Sequence, residues 1–202
     1  MKKLSILALS AILLVGCQSS PSTEADTSPL KIGVLTPLSG NAAMYGEETQ
    51  KILNETLQKI NAEGGYNDQD VELIYEDGKC SGTDAVTAYQ KLMDIDQVDF
   101  IMPWCSNESL AVAPLATEYQ MLSVTGASST PNLEGQSPFL YSFCYSDKDI
   151  SNQLISQLKT YEKVAVISEQ NEYNLGIQQA IESQLADQVV ISETFEKTTT
   201  DF

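Results

Sequence analysis

Serine hydroxyls follow two predicted strands of this 202-residue sequence at the points where the strands end. Ser106 lies between a β-rich segment at residues 98–102 and a helical pattern starting at residue 108, and Ser129 follows a β-rich segment at residues 121–125. Parallel α/β sheets place their ligands at the carboxyl ends of strands. A hydroxyl and the free N–H groups of a helix N-terminus suit a carboxylate, because the helix dipole is positive there. Ser106 therefore predicts a binding site for a small carboxylate, and Ser129 lies at the same kind of position at the end of the next strand.

Each of these residues also has an ordinary structural interpretation. Ser106 or its neighbour Asn107 could serve only as the N-cap of the following helix. Ser129 belongs to a run of small residues at 126–130 that is equally typical of a polar loop. Tyr45 and Tyr173, which lie in predicted loops near glycines, could be plain surface residues. The residue types alone leave both interpretations open.

The composition excludes several kinds of chemistry. The sequence has no histidine, and all 11 of its basic residues are lysine. A Ser-His-Asp triad, a histidine zinc site and an imidazole base are therefore excluded, and a bound carboxylate would have no guanidinium group to pair with. The sequence also lacks a Gly-x-Ser-x-Gly elbow, a phosphate loop and a calcium-binding loop. We expect no catalytic residues, no metal and no cofactor, and we expect that the protein is not an enzyme.

The charge balance is strongly acidic. Against 11 basic side chains there are 28 acidic ones, which gives a formal net charge of −17. Such a surface repels phosphate backbones and anionic lipid headgroups, so we expect neither nucleic-acid binding nor electrostatic membrane docking. High solubility is the simplest consequence of this charge.

Residues 1–17 have the features of an export signal. A positive start is followed by an apolar stretch at residues 4–15, which is too short to span a bilayer as a resident helix. The stretch leads into LVGC, which matches the bacterial lipobox and implies that Cys17 carries a lipid anchor on the outer side of the membrane. The alternative is a plain secretory signal with an incidental cysteine. Residues 18–30 are rich in Ser, Thr, Pro and acidic residues, which predicts a flexible linker.

From residue 31 onward, short β-rich runs alternate with longer amphipathic ones. This alternation predicts an α/β fold with parallel sheets. We expect residues 31–131 to form a first ligand-binding lobe and residues 132–202 to form part of a second lobe. The Pro- and Gly-containing residues 131–138 would be the crossover, and the ending on a strand and a short stub suggests truncation. Strands are predicted at residues 31–36, 71–75, 98–102, 121–125, 139–143, 164–167 and 189–193, and helices at 47–62, 83–95, 108–119, 150–161 and 175–185.

Eight segments of the sequence resemble, in order, the type I periplasmic binding proteins of the leucine/isoleucine/valine-binding kind. These are the receptors of branched-chain amino acid ABC transporters. The resemblance implies two Rossmann-like lobes that close on a ligand, with the second lobe incomplete because family members are longer. It also implies extracytoplasmic capture of an amino acid or similar small polar ligand for a permease; the alternative is a signalling or regulatory lipoprotein that binds a partner protein. The segments are IGVLTPLSG (32–40), MYGEE (44–48), INAEGG (60–65), ELIYEDGKC (72–80), PWCSNES (103–109), VTGASSTPNL (124–133), SDKD (146–149) and EYNLG (172–176).

The same resemblance implies roles for five ligand-binding residues. Ser106 occupies the position of a carboxylate-binding serine, Ala127 would offer its backbone groups, and Ser129 would offer a hydroxyl. Tyr45 and Tyr173 would place aromatic rings against the ligand, which shields it from water on closure. The family's ammonium-binding acid would lie after residue 202, so the sequence does not show whether the ligand carries an amino group.

The remaining cysteines and the single tryptophan lie near the same predicted edge. Cys80 and Cys105 match a disulfide of the leucine-binding branch of this family, and such a bond would brace the loop that carries Ser106. Cys144 is left over and is expected to be a buried, small apolar side chain. Trp104 could line the pocket or cap the core of the first lobe.

Overall fold

Strands and helices alternate along the chain in the predicted order, and most boundaries lie within four residues of the predicted ones. The structure is a computed structural model that describes residues 28–200. Cys17, the predicted signal and most of the predicted linker lie outside these residues. The strands are β1 (Leu30–Thr36), β2 (Val71–Asp77), β3 (Phe100–Pro103), β4 (Ser123–Thr125), β5 (Leu140–Ser142), β6 (Val164–Glu169) and β7 (Val189–Phe195).

Five α-helices connect these strands. None of the helices between residues 28 and 200 is both long and apolar enough to cross a membrane. A helical segment with π geometry, Leu92–Asp96, continues α2, and short 3₁₀ turns precede α1 and follow β4. The helices are α1 (Ala43–Ala62), α2 (Gly82–Lys91), α3 (Ser106–Glu118), α4 (Asp147–Leu158) and α5 (Glu172–Gln184).

The first lobe contains a five-stranded parallel sheet in the order β2-β1-β3-β4-β5. The chain moves outward from β1 to β2 and then returns to the other side of β1 to form β3. The carboxyl ends of β1 and β3 therefore flank the topological switch point, which is where open α/β sheets bind ligands. Tyr45 lies in the first turn of α1, which follows β1, and Ser106 is the first residue of α3, which follows β3. Tyr173 lies in the first turn of α5, so the prediction that the two tyrosines lie in loops is wrong.

The first sheet extends beyond residue 131, where the sequence pattern places the boundary between the lobes. β5 pairs in parallel with β4, with Val124 opposite Tyr141, and so belongs to the first sheet. Residues 131–138 connect two neighbouring strands of that sheet and are not the crossover between lobes. The chain enters the second lobe through residues 143–146, just before α4.

The core of the first lobe lies between one face of the sheet and helices α2 and α3. Right-handed crossovers place α1 on the opposite face, because β1 leads outward and β2 leads back. α1 has a helical spacing of apolar residues, but Ile52 on it remains 61% exposed. The buried cluster comprises Leu35, Ala85, Ala88, Tyr89, Leu92, Val98, Ile101, Val112, Ala113, Ala116 and Leu140.

The second lobe is built on the parallel pair β6 and β7. Helices α4 and α5 pack together against this pair through Ile155, Ile181 and Leu185. The other side of the pair leaves Ile167 and Ile191 exposed. The chain thus has the predicted α/β architecture of two lobes with parallel sheets, and the second sheet has two strands within the described residues.

Candidate ligand-binding site

The first turn of α3 presents the Ser106 hydroxyl at the carboxyl end of β3. Cys105 is the N-cap of α3 and Ser106 is its first residue, so neither Ser106 nor Asn107 acts as the N-cap. Ser106 is buried, and its Oγ accepts a hydrogen bond from Ser128 Oγ at 3.4 Å. This contact joins the loops that follow β3 and β4 and leaves the Ser106 hydroxyl proton free to be donated to a ligand.

The Thr125 side chain shapes the loop after β4. Its Oγ1 accepts the backbone N–H of Ser128 at 3.0 Å and that of Ala127 at 3.4 Å. The same hydroxyl donates to the carbonyl of Trp104 at 3.5 Å. These bonds place Ala127 near Trp104, in the segment that precedes Ser106.

Ser129 contacts a buried carboxylate that the sequence pattern does not reveal. Its Oγ donates to Asp147 Oδ2 at 2.6 Å, and the Asp147 N–H donates to the Ser129 carbonyl at 2.8 Å. Asp147 is the first residue of α4, and it is only 3% exposed. Burial raises the pKa of the Tyr173 phenol, and the charge of Asp147 raises it further. The structure thus joins Ser129 to Asp147 through hydrogen bonds, and the charge of Asp147 acts on Tyr173.

Tyr45 and Trp104 form a stacked aromatic pair. Their ring centroids are 5.6 Å apart, and the rings are inclined by 25°. Tyr45 is 53% exposed and Trp104 is half-buried, so the pair offers an apolar surface next to Ser106. An offset stack of this kind is a favourable aromatic arrangement. Trp104 thus contributes to the open edge of the first lobe and not to its main core cluster.

The N-termini of α3 and α5 meet where the two lobes touch. Asn107 Oδ1 accepts the backbone N–H of Glu172 at 2.8 Å, while its Nδ2 donates to the Cys80 carbonyl at 3.0 Å. Thr130 Oγ1 donates to the Glu172 carbonyl at 3.3 Å. Gly176 belongs to this contact, because a Cβ atom there would lie 3.0 Å from Thr130 Oγ1. These bonds hold the start of α5, and with it Tyr173, against the first lobe.

A cavity of about 960 Å³ is lined by Asn107, Pro131, Glu172 and their neighbours but by none of the five predicted ligand residues. Ser129 lines a second cavity of about 260 Å³ together with Cys144, which is half-buried. Ser106 is buried, whereas Tyr173 is 44% exposed.

The segment before Ser106 is held by two linkages to the loop after β2. Cys80 and Cys105 are disulfide-bonded, with their Cα atoms 5.3 Å apart. The Glu108 carboxylate accepts the backbone N–H groups of Cys80 at 3.1 Å and Cys105 at 2.8 Å. These three side chains bring potential metal-ligand atoms within 4.8 Å of one another. Because the disulfide uses both sulfurs and backbone N–H groups occupy the carboxylate, the cluster is better explained as a structural brace than as a metal site.

Burial of Glu108 makes the stability of the protein sensitive to pH. Burial raises the Glu108 pKa from 4.5 to about 7, although the N–H groups of Cys105, Cys80 and Trp104 favour the charged form; the charge of Asp77 raises the pKa further. At pH values between these two pKa values, the Glu108 carboxyl group therefore keeps its proton in the folded state, whereas it has lost that proton in the unfolded state. The stability gained from that proton is complete below pH 4.5 and is lost as the pH rises to about 7.

We therefore expect the free energy of unfolding of the wild type, relative to the Glu108→Gln variant, to fall by on the order of 3 kcal/mol between pH 4.5 and 7. The glutamine variant supplies the reference because other carboxyl groups titrate equally in both proteins. Urea denaturation at several pH values measures the difference. A wild-type advantage that stays constant across this window would contradict the raised pKa.

Three polar residues of this region were not predicted. Asp147 lies in the segment 146–149, just before the predicted helix at residues 150–161, where an acid is also expected simply to favour the helix dipole. Glu108 lies three residues after Cys105, the spacing of a helix N-terminal capping box. Asn107 was considered only as a cap. Each of these residues has a recognisable feature in the sequence, but the sequence does not show which group the side chain contacts in the fold.

The first lobe is doubly wound, and hydroxyl groups lie near the contact between the two lobes. Both features are typical of the class of two-lobed α/β solute-binding proteins. The sequence profile of the periplasmic binding protein family matches residues 29–202. The chain belongs to the periplasmic binding protein family.

Similar proteins of known sequence are binding proteins and not enzymes. The chain is 27% identical over 185 residues to the amino acid binding protein of Pseudomonas aeruginosa, which covers 89% of this chain and 48% of that protein. It is 22% identical over 180 residues to the Leu/Ile/Val-binding protein of Escherichia coli K12, covering 86% of this chain and 48% of the relative. The chain therefore spans about half the length of the curated relatives it matches.

Solved structures share the fold. The branched-chain amino acid transporter substrate binding protein LivJ of Streptococcus pneumoniae, in complex with isoleucine, matches with a TM-score of 0.72 and 25% identity, covering 86% of this chain and 51% of that one. A periplasmic binding protein type 1 from Bordetella pertussis matches with a TM-score of 0.74 and 20% identity, covering 86% of this chain and 50% of that one. These likenesses support the two-lobed type I architecture.

Proposed function

We propose that this protein is an extracytoplasmic receptor that captures an amino acid or a similar small zwitterion for an ABC transporter. The observation that carries the proposal is the buried Asp147 carboxylate at the contact between the lobes. It is 3% exposed and accepts a hydrogen bond from Ser129, and its charge raises the pKa of the Tyr173 phenol; the sequence predicts both Ser129 and Tyr173 as ligand-binding. Ser106 and the N-terminus of α3 would hold the opposite pole of the ligand.

The Asp147 charge lacks a cationic partner within residues 28–200. The ion pairs in this part of the chain join Lys79 to Asp84 and Lys91 to Glu76 and Asp96. A buried carboxylate that lacks a cation is costly, even though the Ser129 hydroxyl and its own helix N-terminus offset part of that cost. A ligand ammonium group would supply the missing positive charge, and Asp147 would act in addition to the family's ammonium-binding acid, which the resemblance places after residue 202.

The other end of the proposed site, at Ser106 and the N-terminus of α3, suits the ligand carboxylate. Ser106 is the first residue of a 13-residue helix, where backbone N–H groups are free and the dipole is positive. Its hydroxyl proton is not used by the Ser128 contact. Because the sequence has no arginine, a guanidinium clamp is excluded, and the hydroxyl and N–H donors at this position would hold the carboxylate.

Aromatic groups complete the proposed site. Tyr45, stacked on Trp104, would cover the apolar part of the ligand from the first lobe, and Tyr173 would cover it from the second. Ala127 would add backbone groups next to Ser129. The disulfide between Cys80 and Cys105 would keep the Ser106 loop in place.

The proposal includes export and a membrane anchor at Cys17, the last residue of the lipobox-like LVGC. An anchored receptor of this family would deliver its ligand to a permease in the same membrane. We expect the wild-type protein to fractionate with membranes and a Cys17→Ser variant to be released. Release of both proteins alike would overturn the anchor without touching the binding site.

Binding is tested by titration calorimetry on the purified protein after a thermal-shift screen of the common amino acids. L-Isoleucine is the first probe, because the Streptococcus pneumoniae relative is described in complex with it. Two analogues probe the poles: 2-hydroxy-3-methylpentanoate lacks the ammonium group, and isoleucinamide lacks the carboxylate. Each lost charge should weaken binding by about 30-fold or more, since truncating one partner of a buried charge pair costs about 2–5 kcal/mol.

The panel discriminates between outcomes. Preference for one amino acid, with both analogues weaker, supports the zwitterion site. Equal binding of the amino acid and its hydroxy analogue would overturn the assignment of Asp147. A folded protein that responds to no amino acid would overturn the proposed ligand class.

A further inference from the structure

Glu108 is the most deeply buried acid among the described residues. Its side chain is 0% exposed and lies in the first turn of α3, two residues after Ser106. Within residues 28–200 no lysine forms an ion pair with it. Charge at such a depth is tolerated only when hydrogen bonds replace the lost water.

The hydrogen bonds come from two separate loops. Oε2 accepts the N–H of Cys105 at 2.8 Å and that of Trp104 at 3.2 Å, both in the segment directly before Ser106. Oε1 accepts the N–H of Cys80, from the loop after β2, at 3.1 Å. One carboxylate therefore fixes the positions of three backbone groups.

The surrounding backbone is fitted to this carboxylate. A Cβ atom on Gly78 would lie 2.1 Å from Glu108 Oε1, so a larger residue at position 78 would displace the carboxylate. The Asn107 side chain adds a bond from the same segment to the Cys80 carbonyl. The loop after β2 is thus joined to residues 104–107 through polar contacts as well as through the disulfide.

Ordinary helix capping explains only part of this arrangement. An acid at the third position of a helix commonly bonds back to the N–H of the N-cap residue, here Cys105, and stabilises that helix alone. The bonds to Trp104 and Cys80 reach beyond the helix. They constrain the segment whose last member is the ligand-facing Ser106.

We propose that Glu108 is a positioning residue of the ligand site, which holds residues 104–106 in place in parallel with the Cys80–Cys105 disulfide. The inference rests on the proposed function, because it assigns Ser106 to the ligand. Loss of either linkage leaves the other to hold the segment, and loss of both releases Trp104 and Ser106 together.

The test compares wild type with Glu108→Gln at pH 8, each oxidised and reduced with dithiothreitol. Glutamine has the same shape, but its NH₂ group accepts no hydrogen bond, so at least one of the three N–H groups loses its partner. Trp104 is the only tryptophan, so its quenching by acrylamide reports the position of the segment. Amide exchange at Cys80, Trp104 and Cys105 and the dissociation constant for L-isoleucine complete the measurement.

In the oxidised variant, exchange at one or more of these amides should rise by about 10-fold or more, as expected for one lost hydrogen bond to a charged group. Reduction should change wild-type quenching and affinity little. Reduced Glu108→Gln should show markedly stronger quenching of Trp104 and an affinity about 10-fold weaker than either single perturbation predicts, because the two linkages are coupled.

Ser81→Ala is the matched control. Ser81 caps the neighbouring α2 by accepting the Asp84 N–H at 3.4 Å, so its loss costs a cap but frees nothing in residues 104–106. Its quenching and affinity should equal those of the wild type.

A reduced Glu108→Gln protein that remains folded, with wild-type quenching and exchange, would overturn the proposal. If the glutamine variant fails to fold, Glu108→Asp in the oxidised state decides, because its shorter carboxylate cannot reach both loops and should still raise exchange at Cys80 or Trp104. Absence of amino acid binding by the wild type would overturn only the proposed function, since quenching and exchange report on Glu108 without a ligand.

Discussion

Replacing Asp147 by asparagine should weaken amino acid binding by about 100-fold, because a truncated buried charge pair costs about 2–5 kcal/mol. Asparagine keeps the shape of the side chain, and its Oδ1 can still accept the Ser129 hydroxyl, which lies 2.6 Å from the carboxylate in the wild type. The substitution therefore removes the negative charge while it preserves the local hydrogen bond. Titration calorimetry with L-isoleucine, or with the best amino acid of the screen, measures the loss.

The hydroxy analogue of the ligand turns this substitution into a double-mutant cycle. If Asp147 pairs with the ligand ammonium, Asp147→Asn should leave the affinity for 2-hydroxy-3-methylpentanoate unchanged or improved, since no cation is left to lose its partner. If Asp147 only organises the start of α4, both ligands should lose affinity equally. Equal losses would contradict the ammonium assignment.

Asp149→Asn is the matched control for this experiment. Asp149 also lies in the first turn of α4 and carries the same charge, but its side chain is exposed. It therefore has the same relation to the helix dipole without the burial. We expect its affinity to stay within about twofold of the wild type, as is usual for a surface substitution.

Much of the fold is predictable from the sequence because each element carries its own periodic signal. β1 is a mainly apolar run that ends in the buried Thr36, and α5 begins at a helix start marked by Asn171, whose side chain caps it. β5 is a strand whose pairing partner cannot be predicted in this way. Its three residues have strand character, but no local feature states that they pair with β4 and not with β6. Pairing is a long-range property, so the sequence pattern placed the boundary between the lobes too early.

Some residues of the candidate site are likewise predictable from the sequence, and others are not. Ser106 and Ser129 are predictable because the carboxyl end of a strand in a parallel sheet is a general place for ligands. Asp147 is not, because its importance comes from burial and from its contact with Ser129, 18 residues earlier in the chain. Glu108 looks like a local helix cap until its bond to Cys80, 28 residues away, is seen. A residue type shows which chemistry a side chain could perform, but the fold determines which groups the side chain contacts.

Ser106 and Ser129 together should contribute as much to binding as Asp147. The double variant Ser106→Ala, Ser129→Ala should bind the amino acid about 100-fold more weakly or worse, since each hydrogen bond to a charged group contributes about 1.5–3 kcal/mol. Alanine is well tolerated in the first turn of α3, and Ser129 lies in a loop, so the fold should persist. Calorimetry measures affinity, and circular dichroism checks that the variant is folded.

The two serines should differ in how they couple to Asp147. Ser129 contacts the carboxylate directly, so Ser129→Ala and Asp147→Asn should be non-additive, whereas Ser106 bonds to Ser128 and should add independently to Asp147→Asn. Ser156→Ala removes an exposed hydroxyl that bonds to the carbonyl of Gln153 on α4, and it should change nothing. Wild-type affinity in the double serine variant would exclude both hydroxyls from the site. Coupling of Ser106 but not Ser129 to Asp147 would contradict the placement of Ser129 and Asp147 at the same pole of the ligand.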